Sequence, residues 1–355
     1  MDNFGQLIFT GIKGTSLEKD EAEFIEKEKI GGILLSTQNF QDPAQLAELV
    51  NSIQKLRDEY PLFIALTEAA MSSHRFHHFF SQFPSMRELS KLNSPKLIFE
   101  VHEVIAKELK ACGINLNFSP SCDILTNLEN KSIADSCFGS DAQTVEKFIS
   151  ATIRGLQTNG VIACAKHFPG LGDTTKDSRN ELPLIRTPLS TLKERELVPF
   201  IKATKSRVEF FMMGHLLLEE LDPHYPASLS SKVYDFLRRE TKFTKIVMTD
   251  DLQSRSISDR FKTEEASVLG LKAGADILLN SSMDEAKKCL LSLREGVKKR
   301  FILKEQLVEK VLRVEKCKKE FLSNYEPVYI PKISESFNSP ETKKILEHLH
   351  SVSCK

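Results

Sequence analysis

Two short stretches of the chain carry side chains able to do chemistry. Lys166-His167-Phe168-Pro169-Gly170-Leu171-Gly172-Asp173-Thr174 sets a cation and an imidazole directly after an apolar run, and a Pro/Gly-rich loop follows. Such a pair suits the binding of hydroxyls or of a carbonyl oxygen; in a bland role it would be a capped turn with a surface lysine. Thr249-Asp250-Asp251-Leu252 closes another apolar run. A carboxylate there can act as a nucleophile or stabilise a developing cation. Aspartate also caps helices, so one of the two can cap while the other acts. Met213-Gly214-His215 ends a third run and makes His215 a candidate binding residue, although a lone histidine is more often structural. His77 and His78 are adjacent, and adjacent positions on a helix point apart, so no metal site is expected. Gly170-x-Gly172 lacks the third glycine of a dinucleotide fingerprint, and Gly11-Ile12-Lys13-Gly14-Thr15-Ser16 lacks the ending of a phosphate-binding loop. No cofactor is called for.

These residues need elements to hold them. Eight apolar runs read as strands: 6–10, 31–36, 62–66, 114–118, 161–165, 209–213, 246–249 and 276–279. Continuous apolar strands suit a parallel sheet buried on both faces. Amphipathic helices are predicted between them, among others over Pro95–Cys112, Asp141–Asn159, Leu192–Ala203 and Glu264–Ala273, with Gly113 and Gly160 as stops. A charged amphipathic helix is predicted over Lys304–Leu322, and Tyr325–Pro331 reads as extended. Repeated βα units predict an α/β fold of the (β/α)8 TIM-barrel type as a single domain over 1–325. A C-terminal extension over 326–355 is expected to wrap the barrel or to be partly disordered. A doubly wound sheet is the alternative. In a barrel the active site lies at the C-terminal ends of the strands, which is where both motifs fall.

Composition narrows the partners. The 355 residues carry 49 Lys+Arg and 49 Asp+Glu, a balance that argues against nucleic acid as partner. The 7 cysteines are scattered, without zinc spacing, and read as reduced thiols. Met1-Asp2-Asn3-Phe4-Gly5 lacks the basic and apolar regions of a signal peptide. No apolar run approaches the roughly 20 residues that span a bilayer. The expectation is a cytoplasmic protein that is monomeric or weakly homo-oligomeric and makes no membrane contact.

The motif that begins at Lys166, followed by Asp177-Ser178-x-x-x-Leu182-Pro183, resembles the signature of the short, single-barrel bacterial β-N-acetylhexosaminidases of glycoside hydrolase family 3. Gly31-Gly32-Ile33-Leu34-Leu35, Asn117-Phe118-Ser119-Pro120-Ser121-Cys122-Asp123, Phe138-Gly139-Ser140-Asp141, Pro226-Ala227-Ser228-Leu229-Ser230 and Thr249-Asp250-Asp251-Leu252 agree in order, over roughly residues 5 to 320. The resemblance implies a barrel that removes terminal β-linked N-acetylglucosamine from cell-wall-derived glycans or muropeptides inside a bacterium. It implies Asp250 as the nucleophile that forms a glycosyl-enzyme, with Lys166, His167 and Arg75 holding the sugar. Family members use a histidine, paired with an aspartate, as acid/base on the loop after the fifth strand.

This sequence departs from that pattern. Asp177-Ser178-Arg179 stands where the family has Asp-Ser-His, and an arginine cannot donate its proton. Glu181, in the same loop, is a candidate replacement acid. The sugar-gripping aspartate after the third strand corresponds to Thr67, and a further arginine corresponds to Ser136. Three readings follow: a retaining glycosidase, a catalytically silent barrel that binds a sugar or a partner, or an unrelated barrel enzyme in which Lys166 forms a Schiff base.

Overall fold

The computed structural model describes residues 2–57, 59–67, 79–337 and 339–353. Ten strands are present among them: β1 (Ile8–Gly11), β2 (Gly32–Leu35), β3 (Phe63–Leu66), β4 (Leu116–Asn117), β5 (Ile162–Phe168), β6 (Leu184–Ile185), β7 (Phe210–Met213), β8 (Leu217–Leu218), β9 (Ile246–Asp251) and β10 (Ile277–Asn280). Eight of them close into a parallel barrel in the order β1-β10-β9-β7-β5-β4-β3-β2. Each corresponds to one of the apolar runs. β1, β2, β3, β7 and β10 are buried at every position, as strands with a packed barrel interior on one side and helices on the other must be. The remaining pair, β6 and β8, forms a small parallel sheet above the barrel that hydropathy alone does not announce.

Side chains from different strands meet inside the barrel. The Phe9 and Phe63 rings stack at 5.9 Å, and Phe210 meets Phe63 edge-on at 5.2 Å. Higher up, Cys164 of β5 lies 4.0 Å from Met248 of β9, sulfur to sulfur. Side chains alternate along a strand, so the next inward positions on these two strands are Lys166 and Asp250. The base is closed by helix Lys304–Leu322, which packs on the turn Phe4–Leu7. Its buried Lys318 donates to the Gln6 side chain at 2.7 Å and lies 5.1 Å from the Phe63 ring centre.

The helices follow the predicted pattern with local changes. Helix Ala142–Gln157 starts where Asp141 accepts the Thr144 amide at 2.8 Å, and the chain turns at Gly160 with φ +80°. The predicted helix over Leu192–Ala203 is instead two, Leu189–Glu194 and Leu197–Lys205. Pro199 has no N–H to give, so it fits the first turn of a new helix and not the interior of an old one. The break also turns Arg195 and Glu196 under the loop after β5. Beyond Leu322, residues 325–329 take no helix, a 3-10 helix over Ile330–Ser336 overlaps the stretch read as extended at Ile330 and Pro331, and helix Pro340–Ser353 follows. Both pack on helix Pro95–Ala111. Leu349 is buried, and the Phe337 ring meets Phe80 edge-on at 5.8 Å.

Candidate active site

The end of β9 separates its two aspartates. The Asp251 carboxylate accepts the amides of Gln253 and Ser281, each at 3.1 Å. Burial pushes its carboxyl up, against those hydrogen bonds. Asp250 is half-buried, and among the described residues its carboxylate accepts one hydrogen bond, from the Asp251 amide at 2.8 Å. Asp251 caps no helix; it ties the turn after β9 to the residue after β10, and Asp250 is left facing the mouth.

β5 supplies the opposite side. Lys166 is buried and points inward, and the Lys166–His167 peptide is cis. His167 turns toward the loop after β4, where its Nδ1 lies 2.8 Å from Oδ2 of Asp123. Asp123 has no exposed surface. It also accepts the Leu171 amide at 2.8 Å and the Ser121 hydroxyl at 2.9 Å. Burial alone would raise its carboxyl; the His167 ring, the Leu171 amide and the Ser121 hydroxyl outweigh it and hold the group below the usual carboxylate range.

The loop after β5 is fastened along its length. Asn130 donates to the Leu171 carbonyl at 2.8 Å, and the Asn127 amide to that of Gly172 at 3.0 Å. A Cβ at Gly172 would stand 1.5 Å from the Ile124 carbonyl oxygen, so only glycine lets the two loops approach this closely. Asp173 accepts Thr126, Thr187 and Arg195, and Arg195 also binds the buried Glu196. Burial pushes the Glu196 carboxyl up, against Arg195. At its far end the loop reaches the segment after β9, where the Arg255 amide donates to the Arg179 carbonyl at 3.0 Å.

Beside the end of β4 lies a cavity of about 240 Å³, lined by His102, Glu108, Asn117, Ser121, Ser136 and Phe138 among others. Burial pushes Glu108 up, against its bonds from Ser81, and pushes His102 down to about 4.

A family model for the glycosyl hydrolase family 3 N-terminal domain matches residues 2–317. The chain belongs to glycosyl hydrolase family 3. The family is one of glycosidases. A beta-hexosaminidase of Nitrosomonas eutropha is 32% identical over 292 residues, covering 80% of this chain and 83% of that one. One of Bordetella pertussis is 32% identical over 293 residues, covering 80% and 82%. The solved structure of a family 3 beta-N-acetylglucosaminidase from Paenibacillus sp. str. FPU-7 aligns with a TM-score of 0.87 at 31% identity, covering 97% of this chain and 68% of that one.

Within this family 3 barrel, Lys166, His167, Asp177, Arg179 and Asp250 come together at one end of the strands. Arg179 does not reach into the mouth: its side chain is 70% exposed and grips Asp177 through Nε at 3.0 Å and Nη2 at 2.7 Å. Those hydrogen bonds are the main reason that the Asp177 carboxyl is held low, and the His167 ring adds to the effect. Glu181 is half exposed and paired with Lys176. Thr67 closes β3, its amide on the Leu35 carbonyl at 3.0 Å, while the Ser136 hydroxyl bonds within its own turn, to Ile133 at 3.0 Å. Arg75, with His77 and His78, lies outside the described residues.

Two sequence readings change. His215 was expected against the sugar, but its ring is fully buried, with Nε2 on the Asp251 carbonyl at 2.9 Å and Nδ1 on the Ser228 hydroxyl at 2.7 Å. Both nitrogens are used, so it braces the end of β9 from behind. Asp123 was given no role. The signal for it was present: an aspartate just past one strand, beside a strand that ends in histidine.

Proposed function

We propose that this protein is a retaining exo-glycosidase that removes terminal β-linked N-acetylglucosamine, or a related amino sugar, from cell-wall-derived glycans or muropeptides, with Asp250 as nucleophile. The observation that carries the reading is the division of labour at the end of β9: Asp251 is bound by backbone amides, and the Asp250 carboxylate is left, among the described residues, with one hydrogen bond at the mouth of the barrel. Asp250 attacks the anomeric carbon and the aglycone oxygen leaves; water then cleaves the glycosyl ester and returns the carboxylate. Lys166 and His167 hold ring hydroxyls, and Arg75 is the third residue expected to do so. The names of the relatives support the sugar. No helix among the described residues is long and apolar enough to cross a membrane, and the working place we assign is the bacterial cytoplasm.

The test is turnover of an aryl N-acetylglucosaminide together with mass spectrometry after a fluorinated-sugar inactivator. The label is expected on Asp250, and Asp250→Asn is expected to lower kcat by on the order of 10⁴-fold. Unlabelled protein without turnover would remove the reading. One observation favours a second reading, a silent sugar- or partner-binding barrel: Arg179 is clamped on Asp177 where the family keeps its acid. That reading predicts saturable binding of an amino sugar without cleavage.

A further inference from the structure

The cavity beside β4 lies outside the barrel wall. Leu116 of β4 pairs with Ile162 of β5, on the face that Cys164 and Lys166 continue inward, so the next residue, Asn117, faces outward toward helix Pro95–Ala111. The helix lines the cavity with His102, Ile105 and Glu108, which recur at every third position and so share one face. Residues 80–86 and 135–138 supply most of the remaining lining. The volume is about 240 Å³. An apolar cavity of about 150 Å³ is enough to hold benzene, so this one admits a ring with a short substituent.

Its ionisable groups have one character. Glu108 is buried, and its carboxylate accepts the Ser81 amide at 2.9 Å and the Ser81 hydroxyl. Among the described residues no cation pairs with it. Burial pushes its carboxyl up, against the bonds from Ser81. His102 is buried as well, and its Nδ1 lies 2.8 Å from the Ile98 carbonyl. A carbonyl can only accept, so Nδ1 carries the proton and Nε2 is an acceptor. Among the described residues no hydrogen bond reaches Nε2. Asp135 is exposed at the rim, and the described lining holds no lysine or arginine. Phe80, Phe83 and Phe138 give the walls aromatic surface. A buried carboxylate, an accepting imidazole and aromatic walls complement a cation that carries N–H donors on an apolar body. An anion would meet two carboxylates and no positive charge.

We propose that this cavity is a binding site for a small organic ammonium of aryl-alkylamine size, separate from the mouth of the barrel. The ammonium donates to the Glu108 carboxylate and to Nε2 of His102, and the apolar body lies against Phe80, Phe83 and Phe138. The incoming charge supplies the counter-ion that Glu108 lacks among the described residues, so the carboxylate is favoured in the occupied cavity. The site stands whether or not the barrel cleaves glycosides, because none of these residues belongs to the set around Asp250.

The experiment is calorimetric titration of the full-length protein with benzylamine and with benzyl alcohol at about pH 7, where the amine is protonated. The two probes share ring and length and differ in charge. Saturable binding of benzylammonium is expected, tighter than that of the alcohol by roughly 10- to 100-fold, the size of a charge-assisted hydrogen bond. Glu108→Gln keeps an acceptor for the Ser81 amide and is expected to bring the two probes to similar affinity. Asp250→Asn, which removes the carboxylate at the mouth, is expected to leave amine binding unchanged. A measurement on wild type needs no variant to fold: the ¹⁵N signal of the unprotonated His102 Nε2 is expected to move as the amine is added. Absence of saturable amine binding, equal affinity for the two probes, or a His102 signal that stays in place at saturation would overturn the proposal. So would amine binding that Asp250→Asn abolishes and Glu108→Gln spares.

Discussion

At the end of β9, neighbouring residues of the same type meet different surroundings. Asp251 faces backbone amides, Asp250 faces the mouth, and His215 braces the strand from behind. The Asp251 carbonyl can only accept, so Nε2 of His215 carries the proton and Nδ1 meets the Ser228 hydroxyl. Removing the ring by His215→Leu takes its partner from the buried Ser228 hydroxyl, at about 1–3 kcal/mol, and leaves the Asp251 carbonyl with the Ser254 amide alone. The urea midpoint is expected to drop, and kcat to fall while KM stays within a small factor. If KM rose sharply with stability intact, His215 would be touching the sugar after all, as its place in the sequence first suggested.

Among the elements, helix Pro95–Ala111 carries a feature that pH should expose. His102 is buried, its Nδ1 2.8 Å from the Ile98 carbonyl, and burial pushes it down to about 4 from an ordinary 6.5. Between those values the unfolded chain binds a proton that the folded chain refuses. The contribution is complete above the unfolded value and is lost as pH falls toward the folded one, by an amount on the order of 3 kcal/mol. Urea unfolding at about pH 7 and about pH 4.5 should therefore show a smaller acid loss for His102→Gln than for wild type. Equal losses would mean that His102 does not set this dependence. The same scale accounts for the broken helix at Arg195. A hydrophobic stripe continues across the break, so periodicity favours one helix, but Arg195 binds both its neighbour Glu196 and Asp173 of the loop after β5. Pro199 permits the interruption, and the position of that loop gives the residues at the break their partners.

For the whole molecule, Asp276 ties the foot of the barrel to its outer shell. It is fully buried at the start of β10 and accepts the Val247 amide of β9 at 2.9 Å. Arg238 reaches it from helix Ser231–Thr241 at 3.3 Å, and Arg313 and Lys310 reach it from helix Lys304–Leu322. Burial pushes Lys310 down, and its cationic neighbours add to this, while Asp276 pulls it up. Asp276→Asn leaves these cations without their carboxylate, and breaking such a buried cluster costs about 3–5 kcal/mol. Denaturant unfolding should record that loss, and Arg313→Gln on the same background should recover part of it. A single-variant loss below about 1 kcal/mol would show that solvent screens the cluster.

The strands of the barrel were legible in the sequence because each is a short apolar run, the pattern of a parallel sheet buried on both faces, and their repetition with helices between favoured closure over a doubly wound sheet. The place of Lys166, His167 and Asp250 was legible for the same reason: residues that directly follow such runs must lie at one end of the barrel. The exchange of the loop histidine for Arg179 could also be read directly. The pairing of His167 with Asp123 could not, since 44 residues separate them and their contact depends on how β4 and β5 pair and how two loops close over them. The clamp of Arg179 on Asp177, the use of Asp251 by distant amides and the sealing of His215 were likewise decided in three dimensions. Local sequence sets which way a strand or helix turns its faces. Which charged group finds which partner is set by register and packing between segments far apart in the chain.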